Sequence, residues 1–288
     1  FQVDARTRSE VIEIDRNSKK VIVKDLNTGQ MEEESYDRLI LAPGSHPIVP
    51  PVPGMDLPFV FSLKTLEDTD RIFNYLQNKN PRRAVVVGGG LIGIEAVENL
   101  ALKGLKTTVV ELAPQVLTFL DWEMAEMVRW HMHQKGINLC LSEGLQSVEE
   151  QNGQGLVRTD KGGEIPADLV LVAIGVRPNV DLALNADLEL GITGGIKVNE
   201  FMQTSDHDIF AAGDCIETIN LVTGKPVLTP MGSAANKEGR AAGANALGRR
   251  IAVKGFTGTT IVKVFDLTVA KTGLSEREAI AEGYSPLT

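Results

Sequence analysis

The spacing of apolar and polar positions changes several times along this chain, and each change marks an element. Within residues 1–41, Val11, Ile12 and Ile14 and then Val21, Ile22 and Val23 read as strands, with a turn at Asn27-Thr28-Gly29. Residues 36–41 predict another strand, ending at Ala42-Pro43-Gly44. Pro47, Pro50, Pro51, Pro53 and Gly54 then interrupt both helix and strand. Residues 62–76 predict a helix capped by Ser62 or Thr65, with Glu67, Asp68 and Asp70 near its start. In residues 122–134, Met124, Met127, Val128 and Met132 fall at helical spacing and read as a packing stripe. Residues 137–141, 155–159 and 168–174 predict strands, the last closing on Gly175. Further on, 195–198 and 209–212 read as strands, 231–247 as an alanine-rich helix, and 260–265 as one more strand.

Between the first two helices lies the stretch with the clearest chemistry, AVVVGGGLIGIEAVENLALKGLKTTVVE at 84–111. An apolar strand (84–87) runs straight into Gly88-x-Gly90-x-x-Gly93, a helix (94–104) and a second strand (107–110) that ends on Glu111. Gly88 suits the tight strand-to-helix turn, Gly90 the approach of a pyrophosphate, and Gly93 close packing of helix on strand. The helix start offers unpaired N–H groups and a partial positive charge to phosphates. Glu111 is placed to accept hydrogen bonds from an adenosine ribose, although it also fits an ordinary strand-end acid. The residues after it are Leu112, Ala113, Pro114 and Gln115, with no arginine to receive a 2′-phosphate, so NADH is expected over NADPH. Lys106 is the one nearby cation that could swing toward such a phosphate.

Composition narrows the classes. With 288 residues, 43% apolar and 23% charged, the chain has room for two globular domains. A net charge of -9 argues against a nucleic-acid or anionic-lipid surface. No apolar run is long enough to span a bilayer, and the first residues resemble no signal peptide. Two cysteines, Cys140 and Cys215, supply no disulfide framework, so a reducing, cytoplasmic setting is expected. Cys140 reads as core, and Cys215 as a small buried residue at a helix start. His131 and His133 stand two apart on a helix, His46 and His207 lie singly in loops, and no metal is expected.

TSDHDIFAAGD at 204–214 is the second informative stretch: a short apolar strand, a small-residue turn and a carboxylate, Asp214. Alone it fits a capped turn as well as a sugar-hydroxyl ligand. Together with LILAPG at 39–44, GGGLIG at 88–93, AIGVRPN at 173–179 and KVFDLTVAKTGLSEREA at 263–279, it resembles the pyridine nucleotide–disulfide oxidoreductases, flavoproteins with two dinucleotide-binding domains. The branch most resembled contains coenzyme A-disulfide reductases, NADH-dependent persulfide reductases and NADH oxidases.

The resemblance implies an α/β fold, a Rossmann-like NAD(P)-binding domain (61–195) inserted into a truncated FAD-binding domain (1–60 and 196–254). Residues 255–288 would open a C-terminal interface domain. It implies NAD binding by Gly88, Gly90, Leu91, Ile92, Gly93, Glu95, Glu111 and Gly175, with Glu95, read in the first turn of its helix, beside the nicotinamide. It implies FAD binding by Ala42, Pro43, Gly44, Gly213, Asp214, Pro230, Met231 and Gly232, the last three opening a helix aimed at the flavin, with Pro230 in its first turn. The family's ADP-binding glycine loop and redox cysteine are expected upstream of Phe1, so the chain reads as a fragment with no catalytic residue of its own and a weak hold on flavin. The parent would be a homodimer that passes hydride from NADH to FAD and on to a disulfide, persulfide or oxygen. The alternatives are a cysteine-free reductase of rubredoxin or ferredoxin type and, for the fragment itself, an inactive NAD-binding module.

Overall fold

The computed structural model describes residues 3–151 and 153–287. The chain forms two compact units, Phe1–His46 with Arg177–Thr257 and Pro47–Val176 with Gly258–Thr288.

The second unit is built on a five-stranded parallel sheet. Its order is Val60–Ser62, Leu169–Val172, Arg83–Val87, Lys106–Glu111, Asn138–Leu141. Ala84, Val85, Val86 and Val87 are all buried, as expected of a strand covered on both faces. Burial of each valine side chain contributes about 1.5–3 kcal/mol. From Arg83–Val87 the chain builds outward through the next two strands, then returns to add Leu169–Val172 on the other side. That reversal makes the carboxyl ends of Arg83–Val87 and Leu169–Val172 a topological switch point, the place where open α/β sheets bind ligands.

Helix Leu91–Leu102 buries Ile94, Val97 and Leu100 against this sheet. Helix Leu66–Lys79 starts at Thr65, whose hydroxyl accepts the Asp68 N–H while Asp68 bonds back to the Thr65 N–H. Ser62 instead ends an edge strand. Helix Trp122–Gln134 has the expected limits, but it buries Ala125, Val128 and Met132, leaving Met124 and Met127 exposed. Val128 and Met132 of the predicted stripe thus face inward, whereas Met124 and Met127 do not and Ala125 completes the buried face.

The return to Leu169–Val172 passes through an antiparallel meander, Leu145–Gln151, Gln154–Thr159 and Glu164–Ala167, rather than a helix. The hairpin Thr260–Val264 and Leu267–Lys271 packs on helix Leu91–Leu102, and Glu98 accepts the Phe265 N–H at 2.7 Å.

The first unit joins an antiparallel meander (Ser9–Asp15, Lys20–Asp25, Met31–Ser35) to a parallel pair, Leu39–Leu41 beside Ile209–Ala211. Helix Gly232–Ala246 packs on both strands of that pair through Ala241 and Ala242. No helix among the described residues is long and apolar enough to cross a membrane.

Candidate functional site: two glycine turns, each with a carboxylate

In the second unit, Gly88 leaves its strand at φ +109°, and a Cβ there would stand 2.4 Å from the Ala173 carbonyl oxygen. The left-handed turn and the neighbouring strand both demand glycine. Gly93 is equally confined, since its Cβ would lie 2.0 Å from the Gly88 oxygen. Gly90 differs: a Cβ there would meet nothing within 4 Å. It is the N-cap of helix Leu91–Leu102 and offers no side-chain cap, so the first-turn N–H groups keep their capacity for an anion. Space at Gly90 together with uncapped amides is the cradle that a pyrophosphate fits.

Glu111 ends the adjacent strand. Its Oε2 accepts the Gly89 N–H at 2.5 Å and its Oε1 the Ala113 N–H at 2.7 Å. The carboxylate is therefore fixed against the glycine turn, with lone pairs left for ribose hydroxyls. Lys106 begins the same strand, roughly 16 Å away at strand rise. That separation removes it as a phosphate partner. Gly175, at φ +115°, follows the neighbouring strand Leu169–Val172, and Ala173 N–H bonds the Val87 carbonyl. Gly88 and Gly175 thus flank the topological switch.

Leu91 is half-buried and Ile92 exposed in the first turn. Glu95 is exposed on the fifth residue of the helix, beyond the first turn in which the sequence put it. The helix begins at Leu91, three residues earlier than predicted, because Gly90 is its N-cap and Gly93 lies inside its first turn.

In the first unit, parallel pairing brings Ala42-Pro43-Gly44 and Ala212-Gly213-Asp214 to the same end of two neighbouring strands. The Ala212 N–H bonds the Leu41 carbonyl at 3.0 Å, and the Ser45 hydroxyl donates to Asp214 Oδ2 at 2.9 Å. Asn179, last residue of the AIGVRPN motif, completes the loop. Its side-chain amide donates to the Pro43 carbonyl at 2.8 Å and its backbone N–H to the Gly44 carbonyl at 3.0 Å. A Cβ at Gly44 or Gly232 would meet no atom within 4 Å, so room remains for a ligand beside both.

Met231, extended at φ −129°, is the N-cap of helix Gly232–Ala246 and makes no side-chain capping bond. Pro230 therefore stands ahead of the helix rather than in its first turn. Cys215 is fully buried and enters strand Ile216–Ile219, not a helix; its thiol lies 3.3 Å from the Ala212 carbonyl, and burial pushes its pKa to about 11. Cys140 is half-buried on the outermost parallel strand, and burial raises its pKa too.

Sequence reading missed two groups. Glu238, in the middle of helix Gly232–Ala246, is buried, and its Oε2 accepts the Gly213 N–H at 2.9 Å. Asp206, His207 and Asp208 bring one ligating atom each within 4.8 Å of one another. Arg16 already holds Asp206 at 2.8 Å, and Lys19 and Arg38 both pair with Asp208, so the local charge is met by cations of the chain.

Residues 1–264 match the family described as pyridine nucleotide-disulphide oxidoreductase. An NADH oxidase of Methanocaldococcus jannaschii is 39% identical over 274 residues, covering 95% of this chain and 60% of the relative. A CoA-dependent NAD(P)H sulfur oxidoreductase of Pyrococcus furiosus is 38% identical over 288 residues, covering 99% and 64%. Among solved structures, the NAD-dependent persulfide reductase from A. fulgidus matches with a TM-score of 0.92 at 39% identity, over 96% of this chain and 51% of that one. The chain spans about three-fifths of the length of these curated relatives. From the family match across nearly its whole length, and from the two glycine turns at parallel strand ends, the chain belongs to the pyridine nucleotide-disulphide oxidoreductase family.

Proposed function

We propose that this chain is the nucleotide-binding part of an NADH-dependent flavoprotein oxidoreductase. NADH is held by Gly88, Gly90, Leu91, Ile92, Gly93, Glu95, Glu111 and Gly175, within an NAD(P) domain that follows the second compact unit over residues 47–176 rather than the 61–195 expected from the sequence. FAD is held by Ala42, Pro43, Gly44, Gly213, Asp214, Pro230, Met231 and Gly232, within the first compact unit, residues 1–46 and 177–257, rather than the 1–60 and 196–254 expected from the sequence. Residues 255–288 open the interface domain of a homodimer that works in the cytoplasm.

The reading rests above all on Glu111, a carboxylate pinned by two backbone amides beside an open glycine turn. Such a group accepts both ribose hydroxyls of NADH and repels a 2′-phosphate. At about 4 Å that repulsion is on the order of 1–4 kcal/mol per unit charge. In the first unit, Asp214 beside Gly213 supports a second sugar ligand. Bound FAD supplies two-electron redox chemistry; this chain's residues bind and orient. In the whole protein NADH gives up a hydride, and the two electrons reduce a disulfide to two thiols, with a proton taken from solvent. Relatives named NADH oxidase, CoA-dependent NAD(P)H sulfur oxidoreductase and persulfide reductase, with a coenzyme A disulfide reductase of Staphylococcus haemolyticus that is 30% identical, favour coenzyme A disulfide, persulfide or oxygen as acceptor.

Calorimetric titration of this chain with NADH and NADPH tests the nucleotide reading. NADH binding at least about tenfold tighter, roughly 1.4 kcal/mol, is the expected result, and equal affinities would sink it. Competing coenzyme A disulfide, polysulfide and oxygen against one another in the longer protein identifies the acceptor.

A further inference from the structure

Helix Gly232–Ala246 turns one ionisable side chain into the interior of its unit. Glu238 is 1% exposed; its Oε2 accepts the Gly213 N–H, and its Oε1 is buried with no partner. Gly213 sits at φ +87°, so its amide is held by Glu238 within a turn that only glycine adopts easily. The next residue is Asp214.

The surroundings supply no counter-charge. The helix packs on Ile209–Ala211 and Leu39–Leu41. The first strand leads into Asp214 and Cys215, an acid and a buried thiol. Asp208, just before it, is paired with Lys19 and Arg38, and Arg38 is the charge that precedes the second strand. On the helix itself Lys237 lies over the Phe256 ring and Arg240 is exposed. Glu238 forms no ion pair among the described residues. Ionised, it is an uncompensated buried charge beside another carboxylate; neutral, it still accepts the Gly213 bond through its carbonyl oxygen. Burial, reinforced by Asp214, lifts its pKa to about 7.

We propose that Glu238 is a positioning residue: its neutral form props the Gly213–Asp214 turn, and its ionisation, although it strengthens the Gly213 bond itself, buries an uncompensated charge beside Asp214 that strains the turn and weakens its hold on a flavin sugar. The final clause rests on the flavin reading above, whereas the propping role does not. Because the folded carboxyl holds its proton more tightly than the unfolded one, this stability is complete below the unfolded value near 4.5 and is lost as pH rises through about 7.

The test compares wild type, Glu238→Gln and Glu238→Leu in thermal melts of this chain from pH 5 to 9, with FAD titrations of the longer protein carrying the same substitutions at pH 6 and 8.5. The amide of glutamine keeps an acceptor for Gly213 and cannot ionise. Wild type is expected to lose roughly 5 °C of Tm across neutrality relative to Glu238→Gln, and to bind FAD severalfold more weakly at pH 8.5. Glu238→Leu, lacking the acceptor, should melt below Glu238→Gln at every pH. Identical pH profiles for wild type and Glu238→Gln overturn the proposal. A profile abolished by Glu238→Gln, with no variant binding FAD, upholds the propping role and overturns the flavin reading instead.

Discussion

Glu111 and Gly89 are 22 residues apart in sequence, yet the carboxylate of one accepts the backbone N–H of the other at 2.5 Å. The acid that would read the nucleotide's ribose is thus part of the turn that would hold its phosphates. Ribose recognition and turn support are separable by experiment. Glu111→Ala is expected to weaken NADH binding by about 10- to 150-fold, the equivalent of one charge-assisted hydrogen bond of roughly 1.5–3 kcal/mol. NADPH binding should hold steady or tighten, since a repelling charge is gone. Parallel titrations decide the matter: an equal fall for both nucleotides means that Glu111 only props the turn.

The glycines of this turn make opposite predictions. Gly93→Ala puts a Cβ 2.0 Å from the Gly88 carbonyl oxygen, a backbone atom that cannot swing aside. The helix must shift off the sheet, and overpacking of this kind costs about 1–3 kcal/mol. Gly90→Ala meets nothing within 4 Å, so the fold should be unharmed while the methyl group occupies phosphate space. Melting temperature should fall for Gly93→Ala alone, and NADH affinity should fall for both. A Gly90→Ala variant that binds NADH normally would show that no phosphate comes near that position.

Asp168 carries the acid sensitivity of the same sheet. Its carboxylate takes the Arg83 guanidinium at 2.6 Å and the backbone N–H groups of Arg82 and Arg83, each at 2.9 Å. The Arg83 side chain foremost, then those amides, hold its pKa below the usual 3.8 despite partial burial. A depressed carboxyl contributes stability above its unfolded pKa and loses it as pH falls through the folded one. Asp168→Asn should therefore lower Tm at pH 7, with the gap to wild type closing below about pH 3.8. A gap unchanged down to pH 2.5 would assign the effect to packing.

What was legible in the sequence followed from local pattern. Gly88, Gly90 and Gly93 stand between two apolar runs, so the strand, the turn and the terminal Glu111 could all be read from one short segment. The meander Leu145–Gln151, Gln154–Thr159 and Glu164–Ala167 was read only at its middle strand. Its flanks carry Glu149, Glu150 and Glu164, two of which pair across strands with Arg158, and such charges hide a β pattern. Glu238 was unreadable for a similar reason: an acid among alanines, Lys237 and Arg240 looks like a solvated helix face until the fold turns it inward. The bonds from Asn179 to Pro43 and Gly44 join residues more than a hundred positions apart, which no local window contains.

Cys215 follows the proposed flavin carboxylate directly and invites a redox role, which its surroundings oppose. The side chain is fully buried, the thiol lies 3.3 Å from the Ala212 carbonyl oxygen, and desolvation pushes its pKa to about 11. Thiolate is the reactive form, so at pH 8 very little is available. Cys140 is more accessible but is likewise shifted upward, by burial first and by Glu143 second. The native chain should react slowly with a thiol-specific reagent at Cys140, and with Cys215 only after denaturant is added. Mass spectrometry of the alkylated peptides separates the two sites. Cys215→Ala should leave NADH affinity unchanged, its small side chain costing some packing and no chemistry. Rapid modification of Cys215 in the folded chain would refute this, because it requires either an exposed thiol or a cation beside it.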